Sequence, residues 1–164
     1  MSLVVSDSGP VHYLVLCEAI HVVEQIFGDL VIPGSVREEL TQPQTPPVVR
    51  HWIQTLPKWA SVRNPQTTDP SRQLGRGERD AIALARELGA SLLIDDRVGR
   101  RVAAERGLSV TGTIGILELA AERGFLDLAQ AFQKLVHTNF RIDADVVRHA
   151  LERDAARRKA PPAA

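Results

Sequence analysis

Two adjacent carboxylates, Asp95 and Asp96, follow three consecutive apolar residues, Leu92-Leu93-Ile94, and precede Arg97, Arg100 and Arg101. The apolar triplet reads as a short strand buried on both faces. The acids then fall at its carboxyl end, where open parallel sheets keep their ligand crevices. Acid at a strand end with basic residues beside it suits a divalent cation and a phosphate together. The simpler role for Asp95 is to cap the helix that follows, which accounts for one aspartate and not for the second.

Three further stretches carry acids in comparable places. Asp7 follows Leu3-Val4-Val5, a compact run that reads as the first strand. Ser8 can cap the next helix, with Gly9-Pro10 easing the turn. For Asp7 a capping and a ligand role stand even. Glu38 and Glu39 lie on a short helix opened by Pro33-Gly34-Ser35. Ser35 with Glu38 fits a capping box, so Glu38 has a structural duty and Glu39, on another face, has none. Glu78 and Asp80 fall in the first turn of a strong helix, Gly77 to Ala85 and beyond, ending at Gly89. Acid there is favoured by the helix dipole. Glu78 is placed along the packed face and Asp80 on the exposed one. Thr111-Gly112-Thr113-Ile114-Gly115 enters another helix and has the look of a phosphate cradle without its lysine; Thr113 is the expected cap.

The elements that must position these groups are short and alternating. Strands are expected at Leu3–Val5, Leu30–Ile32, Leu92–Ile94 and Leu108–Val110, with an edge strand at Trp59–Val62. Helices are expected near Val11–Cys17, Val22–Phe27, Ser35–Leu40, Val48–Leu56, Gly77–Leu88, Val98–Arg106, Ile116–Arg123, Asp127–His137 and Asp143–Arg158. The order makes the fold class α/β, with a central, mainly parallel β-sheet flanked by helices. Right-handed crossovers bring Asp7, Asp95 and Asp96 to one end of that sheet. The polar segment 63–75 reads as a mobile surface loop.

Composition sets outer limits. The chain has 164 residues, enough for one domain, and 44% of them are hydrophobic, enough for a core. Its 20 basic and 20 acidic residues balance, so bulk charge neither favours nor excludes nucleic acid. The single cysteine, Cys17, excludes an internal disulfide and a cysteine metal site. No stretch approaches the roughly 18 apolar residues of a membrane span. With no leader pattern at the start, a cytoplasmic location away from the membrane is expected.

Taken together, the opening Val4-Val5-Ser6-Asp7-Ser8-Gly9-Pro10, Ile32 to Leu40, Gly77 to Ala85, Leu92 to Arg97 and Val110 to Gly115 resemble the PIN-domain family. The order and spacing are similar to the prokaryotic group that includes VapC-type toxins. The resemblance covers about residues 1–140, leaving 141–158 as a C-terminal helix packing on the domain and 159–164 as a frayed tail. It implies a three-layer α/β/α architecture and a catalytic set of Asp7, Glu39, Glu78 and Asp96. Asp7, Glu78 and Asp96 would be metal ligands, with Asp95 as the alternative to Asp96. Many relatives have a threonine or serine two residues before the fourth acid. Here that position is Ile94, and Thr111 or Thr113 is the hydroxyl available instead.

The activity implied by the resemblance is phosphodiester hydrolysis of RNA with Mg²⁺ or Mn²⁺, hard cations that suit carboxylate oxygens. Ser8, Arg97, Arg100, Arg101, Thr111 and Thr113 are the candidate substrate contacts, the arginines as salt-sensitive phosphate contacts. The resemblance also implies a toxin of a type II toxin–antitoxin pair, with a small antitoxin as partner and a homodimer as its assembly. Two other readings stand beside it. One is a PIN-like regulator that binds RNA or protein without cutting, against which the full set of acids counts. The other is an α/β phosphatase with an aspartyl nucleophile. That enzyme needs Asp-x-Asp after the first strand, where this chain has Asp7-Ser8-Gly9.

Overall fold

The structure, a computed structural model, describes residues 2–161; residues 162–164 of the expected tail lie outside the described residues. In chain order the elements are β1 (Ser2–Ser6), α1 (Ser8–Leu16), α2 (His21–Phe27), β2 (Gly28–Ile32), α3 (Gly34–Leu40), α4 (Pro47–Gln54) and β3 (Ala60–Val62). There follow α5 (Arg76–Leu88), β4 (Ser91–Leu93), α6 (Arg97–Glu105), β5 (Val110–Thr111), α7 (Thr113–Glu122), α8 (Leu128–Val136) and α9 (Ala144–Lys159). All five strands run parallel in the order β3-β2-β1-β4-β5.

Residues alternate across the strands between two cores, as the pleat requires. Val4, Leu30, Ile32 and Leu93 face one side and pack with α1, α2, α4, α7, α8 and α9. Val5, Val31, Leu92 and Ile94 face the other side and pack with α5 and α6 through Ile82, Leu84, Val102 and Ala103. Burial on both faces explains why the strands read as apolar runs rather than alternating ones. Trp52 packs against the first core and tilts on Trp59 at 6.0 Å. Helix α9 lies on α7 and α8, tied by Arg153 to Glu118 at 2.6 and 3.0 Å.

Segment 63–75 is anchored. Asp69 is buried, and its carboxylate accepts from Arg106 Nε at 3.0 Å and from the Ser71 N–H at 3.0 Å. Arg79 Nε donates to the Asp69 carbonyl at 2.7 Å, and the Gln66 N–H donates to Glu87 Oε1 at 2.8 Å. A polar sequence without periodicity gave no sign of these long-range partners, which replace a core for this loop. β5 begins later than expected because Leu108 closes the turn after α6, its N–H donating to the Ala103 carbonyl, while Ser109 already accepts the Leu92 N–H of β4.

Candidate acidic active site

The sheet order reverses direction beside β1: the chain passes outward through β2 and β3, then returns to lay β4 on the other side. Such a switch point opens a crevice at the carboxyl ends of the two central strands. Asp7 leaves β1 there and Asp95 leaves β4 there. The Asp7 N–H donates to the Leu93 carbonyl at 2.9 Å, which ties the two strand ends together.

Asp7 is buried, and burial pushes its carboxyl up to about 7. The Ser8 N–H opposes that rise, while the charges of Glu78, Glu39 and Asp95 add to it. These influences mean that carboxylates from four separate stretches of chain share one electrostatic neighbourhood. Two of these acids lie beside the start of α5. A Cβ at Gly77 would stand 3.6 Å from Asp7 Oδ1 and 3.8 Å from Glu39 Oε1, so both acids face the bare backbone at the start of α5.

Asp95 is held by a single residue. The Thr113 N–H donates to its Oδ1 at 2.7 Å and the Thr113 hydroxyl to its Oδ2 at 2.6 Å. Burial raises its carboxyl above the ordinary range, against the pull of Thr113 and of the Arg100 guanidinium. A Cβ at Gly112 would come within 2.5 Å of Arg100 Nη1 and 2.8 Å of Asp95 Oδ1. Residue 112 must therefore be glycine for this carboxylate and this cation to approach.

Asp96 is exposed and is the N-cap of α6, its Oδ2 accepting the Gly99 N–H at 2.7 Å. The cap expected of Asp95 therefore falls one residue later. Thr113 likewise is not the cap of α7; that position is Gly112, and the threonine is spent on Asp95. Glu78 is half-buried, its Oε2 accepting the Gly75 N–H at 2.8 Å. Burial raises its carboxyl, helped by Asp96 and Glu39. Glu39 itself is exposed on α3.

Asp80 departs from the expectation of an exposed residue. It is buried, accepting the Ser35 hydroxyl at 2.6 Å, with Arg76 at 3.9 Å. Ser35 is thereby unavailable for a capping box, and Glu38 pairs with Arg76 at 3.6 Å instead. The contact between α3 and α5 that buries Asp80 joins residues far apart in sequence, which helix-dipole reasoning on one helix does not register.

Of the remaining candidates, Ser8 opens α1 and its N–H serves Asp7. Thr111 lies in β5, its carbonyl accepting the Ile94 N–H at 3.0 Å. Arg97 is exposed in the first turn of α6, and Arg100 reaches Asp95. Arg101 turns the other way, donating to Gln73 Oε1 at 2.9 Å and facing Glu105 at 3.9 Å, and is not brought to the acids.

In kind, the donors fit a hard divalent cation: carboxylate oxygens, no sulfur or imidazole, and mutual repulsion that a cation relieves. As the side chains stand, no three His, Cys, Asp or Glu among the described residues are set to hold a metal ion together. Among the described residues no helix is long and apolar enough to cross a membrane.

A family model described as a PIN domain (DUF3368) matches residues 3–155. No curated protein matches. Among solved structures, a PilT N-terminus domain protein, SSO1118, from the hyperthermophilic archaeon Sulfolobus solfataricus P2 is similar in fold, with a TM-score of 0.50 and 17% identity. That similarity covers 87% of this chain and 100% of that one. With a three-layer sheet carrying its acids at the β1/β4 switch point and a family match spanning nearly every described residue, the chain belongs to the PIN-domain family and has a nuclease-like fold.

Proposed function

We propose that this protein is a metal-dependent endoribonuclease whose centre is formed by Asp7, Asp95, Glu39, Glu78 and Asp96. The observation that carries the reading is the placement of Asp7: a carboxylate buried at the end of β1, tied by its N–H to the end of β4 where Asp95 stands, with Glu39 beside the same Gly77. A fold that needed no cation there would be more stable with neutral residues. Asp7 and Asp95 would hold Mg²⁺ or Mn²⁺ from the two strand ends, with Glu78 and Asp96 as further ligands, directly or through water. The bound cation supplies Lewis-acid stabilisation of charge on the scissile phosphate and lowers the pKa of an attacking water. Glu39, exposed at the rim, would orient that water. Thr113 fixes the rotamer of Asp95 and opposes the rise that burial imposes on its carboxyl. Arg100 offsets part of the negative charge that would otherwise repel the RNA backbone.

The test is cleavage of single-stranded and structured RNAs with Mn²⁺ and with EDTA. Mn²⁺-dependent cleavage lost in Asp7→Asn supports the reading; intact RNA bound by the protein would favour a non-cutting regulator. We further propose the role of toxin in a type II toxin–antitoxin pair, acting as a homodimer and restrained by a small antitoxin. Growth arrest on expression of the wild type, relieved in Asp7→Asn, is expected on that proposal. A monomeric mass by light scattering at high concentration would remove the dimer.

A further inference from the structure

A cleft of 410 Å³ opens beside Asp95, lined among others by Arg100, Gly112, Phe140, Arg141 and Arg153. Its volume lies within the range of about 300–1,000 Å³ typical of small-ligand sites. Its other acids are already engaged. Glu118 takes Arg153 through both oxygens, and Asp143 accepts the Asp145 N–H at 2.8 Å. Arg100 and Arg141 form no salt bridge among the described residues.

One wall is aromatic. Phe140 is half-buried and stands edge-on to Tyr13, with ring centroids 4.8 Å apart and planes at 79°. Tyr13 in turn lies against His12 at 4.7 Å. The Tyr13 hydroxyl donates to Asn139 Oδ1 at 3.0 Å, and the Phe140 N–H donates to the Thr138 hydroxyl at 3.1 Å. A segment without regular structure is thereby pinned so that its phenylalanine meets the cleft. An aromatic ring beside two guanidinium groups, Arg100 next to Asp95 and Arg141 without a salt bridge among the described residues, matches the chemistry of an unpaired nucleotide: a base that stacks and a phosphate that pairs with arginine.

We propose that this cleft seats one unpaired nucleotide of an RNA strand adjoining the acidic centre, its base against Phe140 and its phosphate between Arg100 and Arg141. The assignment rests on the nuclease reading for its substrate class, and it adds Phe140 and Arg141 as binding residues. A base inside a duplex cannot present its face to Phe140, so the cleft selects single strands.

Fluorescence anisotropy with a short labelled RNA strand tests this in Ca²⁺, which neutralises the acids, with strand integrity checked on a gel. The wild type is expected to bind the single strand more tightly than its blunt duplex. Phe140→Leu should weaken single-strand binding about tenfold, and Phe140→Trp should preserve it. Arg141→Gln, at an exposed position, should weaken binding and lower the salt slope by about 0.7. Equal binding of strand and duplex, no binding by the wild type, or wild-type binding in both Phe140→Leu and Arg141→Gln would overturn the assignment. If Phe140→Leu does not fold, Arg141→Gln decides. Cleavage is read separately in Mn²⁺: a wild type that binds as described but never cuts refutes the nuclease reading and leaves the cleft, whereas a wild type that cuts with unchanged variants refutes the cleft alone.

Discussion

Thr113 satisfies both oxygens of Asp95, one through its backbone N–H at 2.7 Å and one through its hydroxyl at 2.6 Å. The pair links the end of β4 to the start of α7 and holds a largely desolvated carboxylate in one rotamer. Thr113→Val keeps the shape and removes one donor. It should cost about 1–2 kcal/mol of stability, since a partly buried carboxylate loses a charge-assisted bond. It should also lower cleavage, as Asp95 is freed to rotate. Thermal melts with initial rates per folded molecule measure both; unchanged rates would remove Asp95 from the reacting centre.

Asp7 makes stability depend on pH in an unusual direction. Its carboxyl rises from 3.8 to about 7 on folding. Between those values the native state keeps a proton that the unfolded chain has lost, so stability falls as pH rises through the window and the loss is complete above it. In metal-free protein, Asp7→Asn should flatten this fall and be more stable than wild type at pH 8, by about 1–3 kcal/mol. Denaturant melts at pH 5 and pH 8 in EDTA give the comparison. A variant that loses stability equally at both values would make Asp7 a structural acceptor.

Millimolar Mn²⁺ should raise the melting temperature of the wild type by mass action. The rise should shrink in Asp7→Asn and in Asp95→Asn. Melting curves that coincide in EDTA and in Mn²⁺ would argue against a cation at the switch point.

The neighbouring aspartates should separate. Asp95→Asn should reduce cleavage by orders of magnitude, because the inward carboxylate is lost. Asp96→Asn still accepts the Gly99 N–H and should reduce cleavage less, whereas Asp96→Ala should also lose about 1 kcal/mol of stability with its cap. Single-turnover rates rank the variants, and a larger loss in Asp96→Asn than in Asp95→Asn would reverse the assignment of the inner ligand.

Asp80→Ala leaves the buried Ser35 hydroxyl without its acceptor and should cost about 1–3 kcal/mol. Cleavage per folded molecule should persist. Activity that falls in step with Asp7→Asn would place Asp80 inside the centre.

Much of the strand order and of the acid placement is legible in the sequence. Apolar triplets buried on both faces give parallel strands, and the acids Asp7, one residue beyond Val5-Ser6, and Asp95, directly after Ile94, fall at their carboxyl ends; both follow from the apolar runs. Asp80 and Asp96 show where such reading stops. Their surroundings are made by Ser35, 45 residues away, and by the choice of which of two adjacent acids turns inward. That choice is made by Thr113 and by the bare Gly112, which lie on another strand–helix junction. The pinned loop at Asp69 depends on Arg106 in the same way. The Phe140–Tyr13 contact bridges 127 positions and has no periodic signal at all.

The parallel order β3-β2-β1-β4-β5 also fixes when the centre can exist. β2 can pair with β1 early, yet Asp95 and its Thr113 clamp lie 88 and 106 residues after Asp7 and are made later. Domains generally fold as units while they emerge from the N-terminus. A nascent chain therefore carries Asp7 without Asp95 until β4 docks beside β1, and the two strand-end acids come together only then.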